Sequence, residues 1–265
     1  MSDNNKNSVL PDVIEPISNA IQQNIPETAK QTDGALSTIV GFFNNVVLYP
    51  VKKANLTFRY KLEAFEDDLK EKTKNIPEEN LQIPPTMIAG PALEALRYTY
   101  DEKELREMYE NLLASAMDTR IANQVLPSFV DAIKQMSPLD ALILQKFVDL
   151  QQLACAGIKF SIQNTNKVYS KAMPTYFSQE LADMSDPFIV STSITNLLRL
   201  GLLNIIDGEI NGYNYESFKT HPYVQSRVAL FNSFGKPFKV DIDKKVVMIN
   251  DYGKSFAKVC LGKEV

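Results

Sequence analysis

Up to about residue 150 the apolar side chains recur with a helical period, and prolines mark where one helix gives way to the next. That pattern restricts the first half of the chain to packed helices. The cleanest stretch is residues 101–118, where Leu105, Met108, Tyr109, Leu112, Leu113 and Ala116 follow i, i+3, i+4, i+7 spacing. Such a stripe buries itself against neighbouring helices. Asp101 with Glu104 predicts a capping box at its start. Pro127-Ser128 opens a shorter helix with Phe129, Val130, Ile133 and Met136 facing inward. Ser137-Pro138 opens another, with Ser137 as cap, Asp140 three residues later, and Pro138 at the first position, where a missing N–H costs nothing. Its predicted stripe is Leu139, Leu142, Ile143, Phe147 and Leu150.

Ahead of these helices, residues 1–33 are rich in Asn, Gln, Pro and Ser and predict a weakly helical arm. Residues 34–51 carry no charge. A membrane span needs about 20 predominantly apolar residues. This run is shorter, is broken by Asn44-Asn45 and ends at Pro50. A helix burying Leu36, Ile39, Val40, Phe43, Val46 and Val47 on one face is the economical expectation. A helix lying on a membrane through Phe42, Phe43, Val46 and Val47 is the alternative, with Lys52 and Lys53 just behind it. Residues 52–75 predict a solvent-facing helix with a narrow seam of Leu56, Tyr60, Leu62, Phe65 and Leu69. Pro77, Pro84 and Pro85 make the following stretch extended, and Gly90-Pro91 predicts the next helix start, with Ala92, Ala95, Leu96 and Thr99 inward.

Beyond residue 187 the pattern changes. A helix with Phe188, Ile194, Leu197 and Leu198 stops at Leu200-Gly201-Leu202, where glycine supplies a left-handed position. A strand follows, Leu203 to Ile206, with a turn at Asp207-Gly208. Phe238 to Ile242 and Val246 to Ile249 flank Asp243-Lys244-Lys245 and predict a hairpin. A helix from about Asp251, with Tyr252, Phe256, Val259 and Cys260 on one face, closes the chain. The predicted fold is therefore mainly α: an arm over 1–33, a helical domain over 34–136, and a winged-helix-like α+β module over 137–265. In that module Ser137–Gln152 is the first helix, Pro174–Met184 the second, and Pro187–Leu200 holds the recognition position.

A winged helix binds DNA or docks proteins, and the shape alone does not choose. The candidate contact residues are Ser193, Asn196 and Arg199 on the recognition helix and Lys239, Lys244 and Lys245 in the hairpin. Only one of the helix's polar residues is basic. Residues 1–137 hold 14 Lys+Arg against 20 Asp+Glu, net −6, and residues 138–265 hold 14 against 12, net +2. That is a weak footprint for a phosphate backbone.

Catalytic, cofactor-binding and metal-binding residues are expected to be absent. His221 is the single histidine, beside Pro222, and Cys155 sits in the apolar run Leu153-Ala154-Cys155-Ala156, so a Cys–His pair is a poor expectation. Glu104, Glu107 and Glu110 alternate with Lys103 and Arg106 and predict solvated i, i+4 pairs. No phosphate-cradling glycine motif occurs. Two distant cysteines and a polar start without an apolar signal region predict an intracellular, reduced setting.

The segments IPEENL (76–81), AGPALEAL (89–96), DEKELREMYENLLASAMD (101–118), LPSFVDAIKQMSPLDALIL (126–144), RLGLL (199–203) and NDYGKSFAKVC (250–260) resemble the Abi-alpha family of bacterial proteins. The likeness runs from about Leu56 to the end of the chain. It implies a role in abortive infection, in which an infected cell blocks phage propagation at its own expense, and it transfers no catalytic residue. The expected function is a non-enzymatic phage-defence protein acting through protein contacts in the cytoplasm. A membrane-active effector built on residues 34–51 at the inner membrane and a DNA-binding regulator are the alternatives. Host or phage proteins are the expected partners, with nucleic acid, the membrane and a second copy of the chain as the others.

Overall fold

A computed structural model describes residues 31–44, 57–162, 168–169, 173–233, 235 and 238–264. The expected arm over 1–33 therefore lies almost wholly outside the described residues. The chain is mostly helical, with an antiparallel sheet toward the C-terminus. In order, the helices of the first half are α1 (Gln31–Phe42), α2 (Thr57–Thr73), α3 (Thr86–Thr99), α4 (Lys103–Met117), α5 (Pro127–Lys134) and α6 (Pro138–Leu150).

Helix α4 is central. Its whole predicted stripe is buried, and Ala114, Ser115 and Met117 are buried too, because helices close over more than one of its faces. Its start departs from expectation: Glu102 holds the cap position without a side-chain bond, and Asp101 instead pairs with Lys61 of α2. Helix α3 begins at Thr86, directly after Pro84-Pro85, so Gly90-Pro91 lies inside it and does not start it. In α2, Phe65 and Leu69 are buried, whereas Tyr60 is exposed. Helix α1 buries Ala35 and Ile39, and just beyond its end Phe43 is buried too, its ring stacked on Phe65 at 4.0 Å.

The Ser137 cap forms in full. Asp140 N donates to Ser137 Oγ at 3.2 Å, and Ser137 N donates to Asp140 Oδ2 at 2.7 Å. The α6 stripe is rotated from the prediction: Ala141, Ile143, Leu144, Phe147 and Val148 are buried, while Leu142 and Leu150 face outward.

After α6 come β1 (Gln152–Ile162), β2 (Val168–Tyr169), α7 (Pro187–Arg199), β3 (Leu203–Asp207), α8 (Ser217–Thr220), α9 (Pro222–Asn232), β4 (Phe238–Ile249) and α10 (Asp251–Phe256), which runs into a wide π-helical turn, Ala257–Leu261. The sheet order is β2-β1-β4-β3, all antiparallel. The predicted hairpin is corrected. Residues 238–249 form one continuous strand, and Asp243-Lys244-Lys245 lie within it, opposite Gly157, Ala156 and Cys155 of β1. The second helix expected at Pro174–Met184 is replaced by turns, with Phe177 bridging to Ala156. Strand β1 itself was not foreseen. It buries Leu153 and Cys155 in the main core and Ala154, Ala156, Ile158 and Phe160 in a second core with Phe177, Phe218 and Val224. A strand covered on both faces loses the two-residue alternation that would announce it.

The stop of α7 is a Schellman turn. Gly201 has φ +74°, its N–H bonds Leu198 O at 3.0 Å, and Leu202 N bonds Leu197 O at 3.1 Å. Gly253 of α10 packs onto that turn so tightly that a Cβ there would lie 2.1 Å from Leu202 O. The main core takes side chains from both sides of Ser137, from Ala35 to Cys260.

Candidate functional site

The residues expected to meet nucleic acid are all engaged within the molecule. Ser193 is buried. Asn196 Nδ2 donates to Gln135 O at 2.9 Å and to Asp140 Oδ2 at 3.0 Å, so the α6 cap and α7 share one carboxylate. Arg199 reaches Gln135 Oε1 at 2.9 Å and Asn196 Oδ1 at 2.8 Å. Lys239 pairs with Asp241, Lys244 with Glu209 and Lys245 with Asp207. Each of these three lysines thus faces a carboxylate, which opposes the attraction of a phosphate.

Of the residues expected to touch a membrane, Phe43 is buried against Phe65 and Tyr100. The Phe42 side chain, Val46 and Val47 lie outside the described residues. Among the described residues, no helix is long and apolar enough to cross a membrane.

Cys155 is buried, and burial pushes its thiol up to about 12, against the thiolate form a nucleophile needs. His221 caps α9, its Nδ1 accepting from Tyr223 N at 3.3 Å, and its ring packs edge-on to Phe177. No group of three or more potential metal ligands occurs among the described residues.

One charged residue of α4 departs from the solvated i, i+4 pattern. Glu110 is only 1% exposed. Arg106 Nε stands 3.6 Å from its Oε1 and Lys72 Nζ, from α2, 3.9 Å from its Oε2. Neither Glu110 Oε1 nor Arg106 Nε has a hydrogen-bond partner. Burial, reinforced by Asp68, pushes the carboxyl up to about 7, against the opposing pull of Lys72 and Arg106. Lys72 Nζ donates to Asn111 Oδ1 at 2.8 Å, and Asn111 Nδ2 donates to Cys260 O at 3.0 Å. Ser115 Oγ donates to Val259 O at 3.0 Å. The α2–α4 junction is thereby tied to carbonyls of the C-terminal π turn. The cluster ties α2 to α4.

The outward face of α3 is different. Met87, Glu94 and Tyr98 fall at i, i+7 and i+11, one side of the helix. Met87 is 64% and Tyr98 75% exposed, and the Arg97 guanidinium lies 5.6 Å from the Tyr98 ring centre. Beside Tyr98 a cavity of about 270 Å³ opens between α3, α4 and the end of α5, lined by Glu94, Ala95, Tyr98, Thr99, Tyr109 and Lys134. Tyr109 is fully buried and its hydroxyl has no hydrogen-bond partner. Sequence reasoning placed Tyr109 and Ala95 in the core and passed over Met87, Glu94, Tyr98 and Lys134, whose single exposed positions carry no periodic signal.

No curated protein and no solved structure matches the chain. The abortive infection alpha family model matches residues 57–260, from α2 to the C-terminal turn. The matched span takes in α4 with its buried Glu110, the α3 face and the whole sheet. The chain belongs to the abortive infection alpha family.

Proposed function

We propose that this protein serves abortive infection by docking a host or phage protein on the α3 face, without catalysing a reaction itself. The observation that carries this reading is the exposure of Met87 and Tyr98 on one side of one helix, with Arg97 packed on the tyrosine ring. Methionine, tyrosine and arginine are the residue types enriched where protein interfaces bury their centres. The internal pairing of Lys239, Lys244 and Lys245 supports protein contact over nucleic acid. The C-terminal part is winged-helix-like in this reading, since α7 lies between β1 and β3 in sequence and β4 runs between them in the sheet. Its polar helix face is turned to α6, so it acts as a scaffold.

The test is phage plating on cells that make the protein. A Met87→Ser, Tyr98→Ser variant should lose protection while its melting curve is unchanged, because both side chains are exposed. A Lys244→Ala, Lys245→Ala variant should protect as the parent does. Full protection by the first variant would reject the α3 face. Loss of protection by the second, with DNA affinity that falls steeply with salt, would put the nucleic-acid reading in its place.

A further inference from the structure

Helix α9 covers the second core with few anchors. Val224 is its one fully buried side chain, and Phe231 stacks on Phe160 of β1 at 4.8 Å. An isolated helix of this length is marginal in water, so the contacts at its ends weigh heavily. Its N-terminal end is closed by His221. Pro222, at the first position, has no N–H to satisfy. The next amide, Tyr223 N, donates to His221 Nδ1 at 3.3 Å. Only the neutral ring offers that acceptor. In an imidazolium both ring nitrogens are donors, so no turn of the ring restores the bond. The imidazolium also sets a positive charge against the positive end of the helix dipole.

The surrounding charges are engaged elsewhere. Glu216 and Lys219 of α8 pair with each other, and Asp241 of β4 pairs with Lys239. Glu180 accepts from Ser178 and Tyr213, and Arg227 of α9 lies over the Tyr223 ring. Among the described residues no carboxylate pairs with His221, whose ring packs edge-on to Phe177. His221 is the single histidine of the chain, and histidine is the side chain that ordinarily changes charge between about pH 5 and pH 8.

We propose that His221 is an acid-sensitive latch on α9: a proton on its ring breaks the cap, and the helix loosens from the second core. Phe160 and Phe177, on which Phe231 and Tyr223 stack, then become accessible. The latch does not depend on protein docking at the α3 face.

The experiment is hydrogen exchange of the full-length chain at about pH 7.5 and about pH 5.5, read by mass spectrometry and corrected for the intrinsic exchange rate. Loss of the cap, together with the opposed charge, should lower the protection of α9 about tenfold at the lower pH, while α6 loses none. His221→Asn keeps a good cap that carries no proton-dependent charge, and α9 should then be equally protected at both pH values. The ring gives a second readout in the unsubstituted protein: nitrogen NMR at the higher pH should find the neutral ring protonated at Nε2. Unchanged protection of α9 at the lower pH in the parent overturns the proposal. So does an equal loss in His221→Asn, or a neutral ring that carries its proton on Nδ1.

Discussion

Replacing Glu110 by Gln should remove most of the pH dependence of stability between about pH 5 and pH 8. In the folded chain burial pushes this carboxyl up to about 7, against 4.5 when it is free in water. The fold therefore holds the proton more tightly than the unfolded chain does. The favourable contribution is fully present below about pH 4.5, where the carboxyl is protonated in both states. It declines as pH rises through 7, where the buried carboxylate becomes charged. Each pKa step is worth about 1.4 kcal/mol, so the parent should lose at most about 3 kcal/mol across this window. For a chain of this size that is roughly 5–10 °C in melting temperature. The Gln side chain keeps an acceptor for Arg106 and Lys72 but brings an amide N–H₂ with no partner, which costs about 1 kcal/mol. The variant should therefore be more stable than the parent at pH 8 and no more stable at pH 5. The assay is urea unfolding at a series of pH values, with Glu102→Gln, an exposed neighbour, as control. Parent and Glu110→Gln curves that stay parallel from pH 5 to pH 8 would show that Glu110 titrates as a solvated carboxyl, and the reasoning would fail.

Two further outcomes follow from close packing. Gly253→Ala forces a methyl group against the Leu202 carbonyl and Ile249, and because backbone is the obstacle it should cost about 3 kcal/mol or more, read as a lower urea midpoint with an unchanged slope. Cys155 and Cys260 are both buried with thiols held well above their ordinary range. A chromogenic disulfide reagent at pH 8 should therefore release colour only through the denaturant transition, and rapid reaction with the native chain would contradict their placement.

What the sequence made legible was local chemistry. The Ser137–Asp140 capping box, the glycine stop at Gly201 and the stripe of α4 each depend on residues a few positions apart, and each forms as predicted. What it hid depends on partners far along the chain. Asp243-Lys244-Lys245 has the composition of a turn, yet it continues a strand because its charges are met from neighbouring strands and the loop after β3. Lys245 lies directly opposite Asp207 of β3, Asp243 pairs diagonally with Lys159 of β1, and Lys244 reaches Glu209. Cross-strand pairs of opposite charge stabilise a sheet, so a charged triplet is no obstacle once both neighbours are known.

Glu110 shows the same dependence on a helix. Around α4 the apolar residues fill one arc, and Arg106, Glu110 and Asn111 fall outside it, which is the pattern of a solvent face. They are covered because α2, itself rich in charge, packs across that side and brings Lys72 and Asp68 with it. A charged face can be buried only by another face that answers its charges, and here the answer is incomplete: the two cations stop 3.6 and 3.9 Å short of the carboxylate. Burial raises the proton affinity of Glu110, Asp68 adds to it, and at these distances Lys72 and Arg106 offset it only in part. If α2 were shifted so that Lys72 closed to hydrogen-bond distance, the carboxyl would fall back toward its ordinary range and the junction would become stable at higher pH. Any change that tightens or loosens the α2–α4 contact would accordingly move the proton affinity of Glu110.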